Sequence, residues 1–303
     1  MDKQKPILIT GAAGSIGAVG NTITSLLLKQ GRKVRAMVHR EDERAQALRD
    51  KGAEVVVGDL LDLEDMHRII EGCDTVYFSM SVSDDYLAAT VNVAAVAKHH
   101  NVKAFVNMSQ MTVAQMSITK TTESPQQKFH WLAEQLLNWS GLPVVHVRPT
   151  VFMDGFFLKF SAETIKNQNE IRVPFGDGKT SPIAATDVAA AFAKILGDPA
   201  PHIGSTYHLT GPDSENMYFY AQQFTDVLGR SIQYVDVSVE QWRSAMQGAG
   251  LSEHVLDHLT TMGNLHRAGR YARMTDDFEK LTGRKPITVK QFIEDHLASY
   301  DRR

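Results

Sequence analysis

The sequence predicts an α/β fold: a doubly wound parallel sheet with a smaller, mostly helical C-terminal lobe. Three observations predict it. Ile7-Leu8-Ile9-Thr10 is a short apolar and β-branched run that ends directly in glycines spaced three apart. Strand-like and helix-like stretches then alternate in order as far as residue 150. After Arg148-Pro149 that rhythm breaks and helical stretches dominate. Regular alternation of this kind implies right-handed crossovers, which cover both faces of a parallel sheet. Residues 1–150 are therefore expected to form the core. Residues 151–303 are expected to form a lobe that partly returns to it, and no Pro- or Gly-rich linker separates the two.

The elements follow in order. After the first strand come Gly11, Gly14, Gly17 and Gly20, and then Ile23, Leu26, Leu27 and Leu28 begin a helical pattern. Strand, glycine-rich turn and helix form the Rossmann-type context for a dinucleotide. Glycine lets the backbone approach a pyrophosphate, and the helix start offers free N–H groups. Two registers fit, Gly11/Gly14/Gly17 or Gly14/Gly17/Gly20. The first begins where the strand ends, so Gly11, Gly14, Ser15, Ile16 and Gly17 are taken as the phosphate turn and Gly20 as a close-packing position. Further strands are expected at 33–38, 55–57, 75–78, 103–108 and 144–147. Helices are expected at 43–51, 63–70, 84–100 (Leu87, Val91, Val93 and Val96 inward) and 127–140. In the lobe, an aromatic run (Phe152, Met153, Phe156, Phe157, Phe160) precedes a loop at 174–178. A helix at 187–196 and strands near 207–209 and 232–235 follow.

Composition excludes several classes. An apolar fraction of 43% and a charged fraction of 22% are those of a soluble globular protein. The net charge is −3 with Lys and Arg scattered, so neither nucleic acid nor an anionic membrane is expected as a partner. No apolar run approaches a membrane span, and Met1-Asp2-Lys3-Gln4-Lys5 leads straight into the first strand without a signal peptide. The single cysteine, Cys73, fits a reducing, cytoplasmic setting. Among twelve histidines the adjacent His99 and His100 should diverge, and no metal site is expected.

Ligands on such sheets bind beyond the carboxyl ends of the strands, so chemistry is sought there. The second strand ends in His39-Arg40 where an acid would favour NADH. A guanidinium there pairs with a 2′-phosphate, which favours NADPH. Asp59, followed by Leu60, is placed to accept from the adenine amino group, although an N-cap role competes. Ser79, Met80 and Ser81 end the fourth strand beside the expected cofactor path, and Ser109 follows the fifth. Met111, Phe152, Met153 and Phe156 are expected to give an apolar wall for a planar substrate, with lobe core as the competing role.

Several motifs in order resemble the NmrA-like branch of atypical short-chain dehydrogenases/reductases. They are Thr10-Gly11-x-x-Gly14-x-x-Gly17, Val34-Arg35-Ala36-x-Val38-x-Arg40, Gly58-Asp59-Leu60 and Gly72-Cys73-Asp74-x-Val76. His130-Trp131-x-x-Glu134, Arg148-Pro149-x-x-Phe152-Met153, Ser181-Pro182-Ile183-Ala184-x-x-Asp187 and Gly283-Arg284-x-Pro286 continue the likeness almost to the end of the chain. The resemblance implies NADPH or NADP as cofactor. It also implies one of two functions: reduction of quinone, enone, carbonyl, imine or azo acceptors, or redox sensing through a protein partner. A homodimer is compatible with either.

Ordinary members of the wider family use a Tyr and a Lys four residues apart. Aligned on Glu134 and Ser140-Gly141, His130 stands at the Lys position and Gln126 at the Tyr position, so the acid Tyr is missing. That argues against epimerase chemistry. His130 and Ser109 become the catalytic candidates, with His130 also a ribose contact. An imidazole that titrates near neutrality would serve either role. Lys128 lies about 200° round the helix from His130 and cannot stand in for it.

Overall fold

The computed structural model describes residues 4–14, 18–122, 124–248 and 250–301. In chain order the first half comprises β1 (Ile7–Ile9), α1 (Val19–Lys29), β2 (Val34–Val38), α2 (Glu43–Asp50), β3 (Glu54–Val57) and α3 (Leu63–Ile70). It continues with β4 (Thr75–Phe78), α4 (Tyr86–His99), β5 (Ala104–Met108), a 3₁₀ turn (Met111–Gln115), α5 (Pro125–Trp139) and β6 (Val144–Pro149). The second half holds a π-helical turn (Asp154–Phe160), α6 (Ala162–Gln168), β7 (Glu170–Val173), α7 (Ala185–Gly197), β8 (Thr206–Leu209), α8 (Met217–Leu228) and β9 (Gln233–Asp236). It ends with α9 (Val239–Gln247), α10 (Glu253–Arg267), α11 (Asp277–Thr282), α12 (Val289–Asp295) and α13 (Leu297–Tyr300).

Seven strands form one parallel sheet in the order β3-β2-β1-β4-β5-β6-β8. β1 shows why both faces must be covered: all three of its residues are buried, with Ile7 and Ile9 on one face and Leu8 on the other. The Ile7/Ile9 face packs on Ile23 and Leu27 of α1 and on Phe192, Ile195 and Leu196 of α7. Leu8 joins Met66 and Ile69 of α3, Val93 of α4 and Leu137 of α5. β1 lies between β2 and β4, so the direction of winding changes at the β1/β4 boundary and opens a crevice at their carboxyl ends.

The lobe has its own aromatic core, Phe157, Phe175, Tyr220, Phe224 and Phe292, beside a second parallel pair, β7–β9. β7 was not expected from the sequence, because four residues of alternating burial give too short a pattern to distinguish from loop. β8 pairs with β6 in the large sheet, and α7 lies against α1, so the second half contributes to both units.

Two helix details differ from expectation. α5 starts at Pro125 rather than 127, because the Ser124 hydroxyl accepts from Gln127 N and proline fits the first helical position. On α4 the buried face is Tyr86, Ala89, Thr90, Val93, Ala94, Val96 and Ala97, whereas Val91 is exposed. Alanines and Thr90, rather than the larger valine, meet the neighbouring elements. Among the described residues no helix is long and apolar enough to cross a membrane.

One buried carboxylate ties the C-terminal segment to the core. Asp187 on α7 is 1% exposed and accepts from Arg284 Nη2 at 2.6 Å and from Ile287 N at 2.7 Å. Arg284 also lies over the Phe278 ring at 4.9 Å. Asp187→Ala leaves a guanidinium and a backbone N–H without their acceptor, so it should cost about 3 kcal/mol of stability. Urea unfolding with an unchanged slope checks this, and a loss below about 1 kcal/mol would mean that solvent replaces the carboxylate adequately.

Candidate cofactor and acceptor site

The crevice begins with a hydrogen-bonded weld between two strand ends. The Thr10 hydroxyl donates to Ser79 O and accepts from Ser79 N, both at 2.9 Å. Gly11 then turns in the left-handed region at φ 63°, and a Cβ there would stand 3.1 Å from Ser79 O. Gly14 N donates to Gly11 O at 3.0 Å and closes the turn. A Cβ on Gly20 would lie 2.6 Å from Gly11 O and 2.9 Å from Ala12 Cα, so Gly20 lets α1 lie directly on the turn. The N-cap of α1 is Ala18, whose methyl group cannot accept from the first N–H groups of the helix. Ser15, Ile16 and Gly17 lie outside the described residues.

His39 and Arg40 stand exposed just past β2. A residue not anticipated from the sequence joins them. Arg44 on α2 donates from Nη1 to Ala13 O at 3.0 Å, while Asp42 holds its other side and also caps α2. A basic residue in a first helical turn gives no sign in the sequence that it reaches a loop 31 residues away. Asp59 is only half-exposed, and its Oδ1 accepts from Leu61 N at 2.9 Å; Asp62 caps α3. Leu60 and Met80 pack against the core on the α3 side, and Ser81 is exposed. Arg44 beside the glycine turn and Arg40, exposed past the end of the neighbouring strand, offer donors for a pyrophosphate and a further phosphate.

On the acceptor side, α5 places Gln126, His130 and Glu134 one turn apart on one face. Glu134, 1% exposed, holds Arg148 of β6 through a two-pronged pair that fixes the helix against the sheet. Gln126 Oε1 accepts from Ser83 N at 3.2 Å and from His254 Nε2 at 2.9 Å, so its amide nitrogen must face His130 Nε2, at 3.3 Å. His254 Nδ1 in turn meets Asp84 Oδ1 at 2.6 Å. These partners assign the proton of His130 to Nδ1, an atom that is buried without a hydrogen-bond partner. The Tyr86 ring lies 4.2 Å away.

Burial, reinforced by the nearby His258, pushes the His130 pKa down to about 3. This corrects the expectation of a group titrating near neutrality. His130 is a neutral N–H donor, not an imidazolium acid.

Ser109, 4% exposed, donates its backbone N–H to Val147 O at 2.8 Å, while its hydroxyl is buried without a partner, as is Gln110 Nε2. Met111 opens the 3₁₀ turn that packs against α5. Phe152 is half-buried and bridges to Ile183. Met153 and Phe156 are 0% and 3% exposed and belong to the lobe core, where Phe156 meets Phe175 and His266. The lobe core has claimed those two and Met111 is as deeply buried, at 1%, so of the four expected wall residues Phe152 alone is partly exposed. Cys73 lies buried beneath Arg35, and burial raises its thiol to about 11, which suits a structural and not a nucleophilic role.

The NAD(P)H-binding family profile matches residues 11–199. The NAD(P)H azoreductase of Xenophilus azovorans is 29% identical over 97% of this chain and 99% of its own. The NADPH complex of an NADPH-dependent quinone oxidoreductase from Escherichia coli superposes with a TM-score of 0.84 at 23% identity, covering 96% of this chain and 99% of that one. NmrA, a negative transcriptional regulator solved with NADP, gives 0.79 at 18% identity over 98% of both chains.

Three histidines are held neutral by burial: His130 and His266 at about 3 and His258 at about 4. In the unfolded chain each titrates near 6.5. Below that pH the unfolded chain takes up protons that the folded protein refuses, so stability is complete above about 6.5 and falls as pH drops toward the folded values. The expected loss is on the order of 1 kcal/mol per pH unit for each histidine between about pH 6 and pH 4. Urea midpoints measured across this range check it, and a flat profile would contradict the burial of these rings.

Proposed function

The chain belongs to the NAD(P)H-binding family, and from that premise we propose that it is an NADPH-dependent reductase passing hydride to a small apolar or conjugated acceptor of quinone, enone, carbonyl, imine or azo type. The observation that carries the reading is that Ser109 Oγ and Gln110 Nε2, just past the carboxyl end of β5, and His130 Nδ1, on the helix α5 that follows, are buried with no hydrogen-bond partner among the described residues. Each costs about 1–3 kcal/mol if left unpaired, a cost that a ligand accepting from them removes. The likeness to an azoreductase over the whole chain supports the same class.

The nicotinamide, when bound, supplies the hydride. The chain's own residues bind and orient. The glycine turn and the start of α1 receive the pyrophosphate, Arg40 and Arg44 meet the 2′-phosphate, and His130 donates from Nδ1 to the ribose or to the acceptor. Phe152 keeps water from an apolar acceptor. With Gln126 at the Tyr position and already bonded to His254 and Ser83, the site lacks an ionisable proton donor there. Acceptors whose reduced form is a delocalised anion need none, because solvent supplies the proton after hydride arrives. The same loss supports a second reading, a non-catalytic NADP(H) sensor acting through a protein partner.

Titration with both cofactors should show NADPH bound more tightly than NADH, and Arg40→Asp should weaken NADPH binding by about tenfold. Equal wild-type affinities for the two would remove Arg40 from the cofactor site.

NADPH oxidation against a panel of quinones, enones, aldehydes, imines and azo dyes separates the two readings. A reductase will turn over at least one, and His130→Ala should lower kcat/KM by about threefold to tenfold, the scale of one neutral hydrogen bond. The wild-type and variant pH–rate profiles should run parallel near neutrality, since His130 does not titrate there. No turnover with any acceptor favours the sensor.

A further inference from the structure

At the opposite edge of the sheet three histidines meet. α3 and α4 follow β3 and β4 and run back from the carboxyl edge, so the end of α4 lies at the amino edge, about 20 Å of helix from its start. His67 stands on α3, His99 closes α4 and His100 is its C-cap, with His100 N donating to Val96 O at 3.0 Å. The two helices are locked together by Met66, Ile69 and Ile70 in one core cluster with Val93, Val96 and Ala97.

His100 Nε2 is 3.0 Å from His67 Nδ1, and one ring nitrogen from each of the three side chains lies within 4.8 Å of the other two. The rings of His99 and His100 stand perpendicular at 87°, but their centroids are 5.0 Å apart, so the adjacent pair does not diverge as the sequence suggested. His67, arriving from a different helix, meets both, with ring centroids 5.7 Å from His99 and 4.8 Å from His100. Pattern reading missed this because the third histidine is 32 residues away from the pair.

We propose that His67, His99 and His100 form a surface binding site for a divalent transition metal ion of the zinc, nickel and copper class. Nitrogens on a tetrahedral zinc, with bonds of about 2.0–2.1 Å, stand about 3.3 Å apart. The observed spacings, from 3.0 Å to at most 4.8 Å, bracket that value, and the core packing beneath holds α3 and α4 together. Three imidazoles with no carboxylate in the set select these ions over magnesium and calcium. His67 and His99 are exposed and His100 is half-buried, so an ion enters directly from solvent and keeps water in its remaining position. Bound there, it clamps the end of α4 onto α3.

The test uses the full chain, stripped with a chelator and titrated with zinc alone by calorimetry. One ion should bind per chain with micromolar or tighter affinity, and the melting temperature should rise in step. His67→Ala and His100→Ala should each weaken binding by at least about tenfold. The triple alanine variant should abolish it, while NADPH binding, seated at the other edge, stays as in the parent and reports an intact fold. Cobalt added to the unaltered chain should give the visible absorption of a tetrahedral nitrogen-rich site, a readout independent of any variant. The absence of saturable one-to-one binding, or binding that survives the triple substitution, overturns the proposal.

Discussion

Everything at the cofactor crevice depends on the pair of hydrogen bonds between Thr10 and Ser79. They join the ends of β1 and β4 where the winding of the sheet reverses, and they form only because β1 is short and buried and ends at that hydroxyl. With the strand ends fixed, Gly11 must turn immediately beneath Ser79 O, where a side chain meets both a crowded carbonyl and an unfavourable φ. The turn in turn sets the seat of α1, which Gly20 allows to approach Gly11 O. Through Gly11 and Gly20 the end of β1 and the first turn of α1 lie in direct contact, and the positive end of α1 takes its position from that contact.

The acceptor side is built differently, from polar groups under load. A chain of partners runs from the exposed Asp84 through buried His254 and Gln126 to His130. The backbone N–H of Ser83 donates to Gln126 Oε1 and settles which end of the Gln126 amide faces which histidine. The consequence is a defined tautomer at His130, with its proton at the one nitrogen that lacks a protein partner. Gln126 thereby orients its neighbour.

The large sheet was legible in the sequence because its elements are long, periodic and punctuated: the helix at 63–70 and the strand at 75–78 coincide with α3 and β4. Gly11 turns directly after the strand and Gly20 packs close, as their spacing suggested, while Gly17 lies outside the described residues. What escaped was whatever depends on tertiary meetings. β7 is recognisable only beside β9, and Arg44 only once α2 is laid against the phosphate turn. The charge state of His130 follows from burial under α4 and from the approach of α10, neither of which a helical pattern encodes. Met153 and Phe156 misled because an aromatic run after a strand is equally suited to line a pocket or to fill a lobe, and here the lobe core took them.

The burial of Cys73 has a practical side. Its sulfur is shut in beneath Arg35 and is the chain's single thiol, so maleimide and iodoacetamide reagents find almost no thiolate to attack. The natural protein is already a cysteine-silent background. A cysteine introduced at exposed Ser81 would be the one labelling position, and a fluorophore there would sit at the mouth of the crevice to report occupancy in real time.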